Sequence, residues 1–145
     1  MPFTSLARSA VLVFALFVCA CGGPPVTVFR GATTQTINAG GQSSTRTSQG
    51  DVYTVVAGND PNTVIIENGG SALTATRNND ALTFASGQTV SSTETNAMSS
   101  TSLTSGTGTL TSTSLTMNLT LTVSQTQNGM TTNATVMLQY TGQRL

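Results

Sequence analysis

The side chains able to do chemistry are few. The chain carries five acids (Asp51, Asp60, Glu67, Asp80 and Glu94) and five arginines (Arg8, Arg30, Arg46, Arg77 and Arg144). It has two tyrosines and two cysteines, and it has no histidine, lysine or tryptophan. Without histidine there is no Ser-His-Asp triad and no Cys-His pair, and without lysine no Ser-Lys dyad or Schiff base. Zinc or copper sites built on His and Cys are excluded with them. A pair of carboxylates is enough for glycoside cleavage, but Asp60 precedes Pro61 and Asp80 follows Asn78-Asn79. Both are places where turn geometry favours Asp. Asn59-Asp60-Pro61-Asn62 and Asn78-Asn79-Asp80 offer oxygen ligands, yet lack the acidic density of a calcium loop. The expectation is a protein that is not an enzyme, with no catalytic residue, no metal site and no cofactor.

The cysteines point elsewhere. Arg8 precedes an apolar run from Ala10 to Ala20, which ends Val18-Cys19-Ala20-Cys21 before Gly22-Gly23-Pro24-Pro25. A charged start and a short apolar core describe an export signal. The run falls short of the roughly 20 apolar residues that cross a bilayer. The Val18–Cys21 tetrapeptide resembles the lipobox of bacterial lipoproteins, with Cys19 in a position more often held by Ser, Thr or Ala. The resemblance covers the leader alone and implies cleavage before Cys21, which then gains a thioether-linked diacylglycerol and an amide-linked acyl chain. Two or more chains hold a protein stably on a membrane. Gly22 stands where an aspartate would retain some such proteins at the inner membrane, which implies the outer membrane of the cell envelope. The alternative is ordinary cleavage after Ala20, leaving Cys21 as an unmodified terminus.

This divides the chain into a signal peptide at 1–20, expected to be helical, a lipidated tether at 21–25 and a single β domain at 26–145. The domain contains no cysteine, so no disulfide supports it and its core must suffice. The expected partners are the membrane, through the lipid on Cys21, and another envelope protein. Charged residues make up 7% of the chain and the formal net charge is zero, which gives nucleic acid no basic patch to meet.

About a third of the chain is Ser or Thr, and where Thr alternates with Val, Leu and Ile the pattern favours strands. Leu115, Met117, Leu119, Leu121 and Val123 alternate with polar residues, and so do Ala134, Val136, Leu138 and Tyr140. Between the two runs lies Asn128-Gly129, the preferred pair for a two-residue hairpin turn. A fold about that turn sets Val123 against Ala134, Leu119 against Leu138 and Met117 against Tyr140. Turns at Gly69-Gly70 and Asn78-Asn79 make further hairpins from Thr63–Glu67, Ala72–Arg77 and Ala81–Ala85. The second turn opposes Ala75 to Leu82 and Leu73 to Phe84. Val26–Ile37 reads as a first strand bent at Gly31, Asn38–Gly50 as a Gly/Ser-rich loop, and Asp51–Ala57 as a strand. Ser86–Gly108 reads as a long loop or a ragged edge strand. No segment of the mature chain keeps a helical period. The expected fold is all-β: an antiparallel meander of hairpins with one buried face, forming a small sandwich or barrel. Two functions fit it, a structural or protein-binding envelope module and a module that binds a small apolar ligand or glycan.

Overall fold

A computed structural model describes residues 25–90, 98–127 and 129–145. The leader, Cys21 and Asn128 lie outside them. The described residues contain nine strands and no helix: β1 Val26–Ala39, β2 Gln42–Ala57, β3 Thr63–Asn68, β4 Ser71–Asn78, β5 Ala81–Phe84, β6 Thr89–Val90, β7 Met98–Leu110, β8 Ser114–Gln127 and β9 Met130–Arg144. Every pairing is antiparallel, and β1 lies between β2 and β9. The sheet closes on itself because β5 pairs with β7 from Ala81↔Thr109 to Phe84↔Gly106. The result is a barrel built from a meander, and closure removes the sheet edges along most of its length.

The interior follows from alternation. Phe29, Val55, Ile66, Ala75, Leu82, Phe84, Leu103, Leu115, Met117 and Tyr140 form the centre of a continuous buried core. The C-terminal hairpin has the register that its apolar phase requires, from Gln127↔Met130 to Met117↔Tyr140. The Gly69-Gly70 hairpin likewise pairs Ile66 with Leu73 and Val64 with Ala75.

Three elements depart from the sequence expectation. The turn between β4 and β5 is centred on Asn79-Asp80, with Asn79 at φ 54°, so Ala75 opposes Phe84 and Arg77 opposes Leu82. Asn is among the few residues that tolerate this conformation. The displacement is two residues, which leaves the same side chains facing inward. Arg77 and Asp80 flank the turn at 3.6 Å as an exposed ion pair.

Secondly, Asn38–Gly50 is a hairpin rather than a loop. Gly40 and Gly41 make its two-residue turn at φ 57° and 79°, and β2 pairs with β1 as far as Ala39↔Gln42. The outer half of β2 is exposed throughout, so no apolar alternation announces it. Cross-strand side-chain bonds hold it instead: Thr34 to Thr47 at 3.1 Å and Thr36 to Thr45 at 3.0 Å.

Thirdly, within Ser86–Gly108 the chain forms β6 and β7, and β7 is an interior member of the ring. Its inward positions include Gly106, where an added Cβ would lie 2.7 Å from Leu119 and 3.0 Å from Phe84. Neighbouring strands supply the bulk, so the strand carries little apolar signal of its own. A bulge between Leu103 and Ser105 also breaks its phase.

Between β5 and β6 the ring is completed by a side chain. The Gln88 amide accepts from Thr74 N–H through Oε1 at 2.7 Å and donates to Thr74 C=O through Nε2 at 2.8 Å. It thereby does for β4 what a strand backbone would do. The Gln88→Ala variant should lose about 1 kcal/mol of stability, read as a lower denaturant midpoint at unchanged slope. The Gly31→Ala variant should lose more, about 1–3 kcal/mol, because its Cβ would sit 2.0 Å from the Thr141 carbonyl oxygen.

Candidate functional site

The barrel has two unlike ends. Pro25, Leu145 and the loops at 58–62, 79–80 and 111–113 share one end, with Leu145 N–H donating to Val28 C=O at 2.9 Å. A recess of about 390 Å³ there is bordered by Phe29, Val64, Leu110, Arg77 and Arg144. Its arginines are occupied with the fold. Arg77 donates to the Asn79 carbonyl at 2.7 Å and to that of Leu110 at 3.3 Å, and Arg144 to that of Ser112 at 3.4 Å. These bonds tie the turns together across the end.

The other end is a mouth with a tall wall on one side. β3 meets β2 only from Thr54↔Glu67 onward, whereas β1, β2, β7, β8 and β9 run well beyond that level. Behind the mouth lies a cavity of about 240 Å³ lined by Tyr53, Ile66, Leu73, Val90, Met117, Leu119, Leu121 and Leu138. Three polar side chains, Gln35, Asn68 and Ser71, meet it. Ligand pockets commonly have this composition, apolar walls with a few converging polar groups. The volume lies below the roughly 300–1,000 Å³ of a drug-sized pocket, so it suits part of a ligand. A larger open groove on the outer face, about 540 Å³, crosses β7 above Gly106 and is bordered largely by Ser, Thr and Asn.

The floor of the mouth is a tyrosine pair. Tyr53 on β2 and Tyr140 on β9 flank β1, and their rings meet at 4.3 Å between centroids with a 48° tilt. Gly31 on the strand between them is in register with both Asp51 and Gly142, so of the three positions at the next level only Asp51 carries a side chain. Gly142 is equally constrained, since a Cβ there would lie 2.0 Å from Tyr140 Oη. Tyr140 is 1% exposed, and its Oη and the Thr33 Oγ1 are buried without a partner at hydrogen-bond geometry. A buried oxygen left so costs about 1–3 kcal/mol.

Burial, followed by the neighbouring Tyr53 and Asp51, pushes the Tyr140 phenol up to about 12. Burial also raises Tyr53. The Ser48 hydroxyl donates to the Asp51 carboxylate, and this bond, assisted by the Thr33 hydroxyl nearby, holds the Asp51 carboxyl below its usual value.

One feature at the mouth decides what the wall presents. Gly31 opposes Asp51 while Ala32 opposes Gln49, so Gly50 is an extra residue in β2. It has φ 78°, the left-handed conformation that a Gly bulge uses. Before it Ser44, Arg46 and Ser48 face inward, in register with Ile37, Gln35 and Thr33; after it Asp51, Tyr53 and Val55 do. Arg46 therefore lies on the inner side of the wall, where its Nε and Nη2 donate to Gln35 Oε1 at 3.1 and 3.0 Å. Sequence reasoning missed Arg46 because its segment, Asn38–Gly50, reads as a loop, and Gln35 with it, because the polar residues of the first strand had no partner in view. The bend expected at Gly31 was the available signal.

Of the acids, Asp60 and Asp80 lie in turns at the closed end and Glu67 lies on the outer side of β3. No group of three or more His, Cys, Asp or Glu gathers among the described residues. Asn118 and Asn133, which begin Asn-X-Thr triplets, both lie within strands.

The tyrosines give a direct spectroscopic test. A phenol proton held more tightly in the folded than in the unfolded state stabilises fully below pH 10 and loses that contribution as pH rises towards 12. Phenolate absorbance of the folded domain should therefore develop above pH 10, together with loss of the β signal in circular dichroism. Half the phenolate signal appearing at pH 10 with structure intact would contradict the burial of Tyr140. Comparison of the chain with protein-family models, with curated proteins and with solved structures finds no match.

Proposed function

We propose that this is a lipid-anchored binding module of the bacterial envelope, whose barrel mouth takes the apolar part of a small ligand. The observation that carries the binding half is the cavity of Ile66, Leu73, Leu121 and Leu138 met by Gln35, Asn68 and Ser71. A barrel serving only as a spacer gains nothing from an apolar recess at its mouth. The anchor rests on the Val18–Cys21 tetrapeptide. The outer membrane is the expected destination, from Gly22.

A second reading, a protein-binding module, is favoured by a different feature. From Gln42 to Tyr53 the outer edge of β2 has no strand beside it among the described residues, and an extended segment of an envelope protein could pair there by strand addition.

Binding is tested with the soluble domain and the neutral dye Nile red. Uptake should be saturable and should fall at least tenfold in Leu73→Glu, which sets a charge in the apolar recess, while the thermal midpoint shows that the variant is folded. Uptake that is absent, or unaffected by the substitution, would leave the protein-binding reading in its place. The anchor is tested separately with labelled fatty acid in cells. Label should enter the wild type and be lost in Cys21→Ser; no label in the wild type would make the protein a soluble exported domain.

A further inference from the structure

Resting on the ligand-binding reading, we infer that the ligand is an anionic amphiphile, its apolar chain in the mouth cavity and its carboxylate or phosphate head on Arg46. The inference comes from two recesses that share a wall. Beside the apolar cavity lies a second recess of about 310 Å³ lined by Thr33, Gln35, Arg46, Thr47 and Ser48. Gln35 borders both. One is lined mainly by Leu, Ile, Val and Met, the other only by hydroxyls, an amide and a guanidinium. A molecule that fills both must change from apolar to polar across the width of one side chain.

The charge of that polar part follows from Arg46. Its guanidinium is fixed by two bonds to Gln35 Oε1. An amide oxygen orients a guanidinium without neutralising it. The described residues contain one ion pair, Arg77 with Asp80, and Arg46 has no part in it. The remaining donors of the fork stay available for a bidentate anion. Asp51 is the acid on the same inner face, five residues along the strand. Because Gly50 is extra, the two are four ladder steps apart, Asp51 opposite Gly31 and Arg46 opposite Gln35, roughly 13 Å of strand at about 3.3 Å per residue. Its carboxylate is also held by Ser48.

The hydroxyls complete the recess. Ser48 is in register with Thr33, and Arg46 with Gln35, so side chains from two adjacent strands surround one point. A headgroup there would reach Arg46 while its chain descends past Gln35 towards Leu138.

The test compares dodecanoate with dodecanol, two probes of one chain length that differ in head charge, by displacement of Nile red from the soluble domain. Dodecanoate should bind roughly three- to tenfold more tightly at low salt. Arg46→Gln should remove that preference, weakening dodecanoate until the two probes bind alike. Arg46→Lys, which keeps the charge and loses the fork, should restore part of it. Added salt should weaken dodecanoate alone. Equal binding of both probes by the wild type, or a preference that survives Arg46→Gln, would overturn the anionic head while leaving an apolar-ligand module. Failure of both probes to displace the dye would equally overturn the amphiphile. Failure of the dye itself to bind would remove the ligand-binding reading from which it starts.

Discussion

The pairing of β5 with β7 is the contact on which the rest of the molecule depends. A meander with one apolar face has no stable form in water until that face is covered. With no helix among the described residues to cover it, the sheet must cover itself. Four residue pairs, Ala81 to Phe84 against Gly106 to Thr109, join its two ends. Gln88 extends the seam by lending an amide to Thr74 where no backbone is in position. The glycines of β7 belong to the same constraint. Leu82 and Phe84 enter the core at the seam, where Gly106 leaves room for Phe84 and Gly108 lies against Leu82.

Closure also explains how so few charges suffice. Hydroxyls on the outer face bond across strands in pairs such as Thr104 with Thr122 and Thr126 with Thr131. Threonine satisfies two demands at once there, a branched carbon that suits a pleated strand and an oxygen that water can solvate. The domain gains solubility and strand propensity from one residue type. Among the described residues most of the remaining charges lie in turns or near strand ends, while Arg30, Arg46 and Asp51 lie within β1 and β2.

What could be read from the sequence tracks where the core is. The β8–β9 hairpin was legible to the residue, since Leu115 through Val123 and Ala134 through Tyr140 bury one face and expose the other. The β3–β4 hairpin was legible for the same reason. The outer half of β2 was hidden because Gln42–Gly50 is exposed throughout and wholly polar, whereas Asp51–Ala57 was legible as a strand. β7 was hidden because glycine stands at inward positions and a bulge shifts its phase midway. The candidate site drew on both kinds of segment. Its apolar lining from Leu119, Leu121 and Leu138 belonged to the legible hairpin, while Arg46 belonged to the hidden strand. Chemistry that is assembled by tertiary closure leaves little trace in local pattern.

Gly50 lets the floor and the wall be adjusted separately. As an extra residue it shifts the sequence parity of β2: odd-numbered residues face inward from Asp51 on and even-numbered ones before it, while β1 keeps one phase throughout. Deleting its codon would move no pair, since Gly31 would still oppose Asp51 and Ala32 would still oppose Gln49. What the bulge adds is a local bend and extra twist at the level of the tyrosine floor. The lean of the wall over the cavity can therefore change through evolution at one codon, while Arg46 and Ser48 keep their places opposite Gln35 and Thr33.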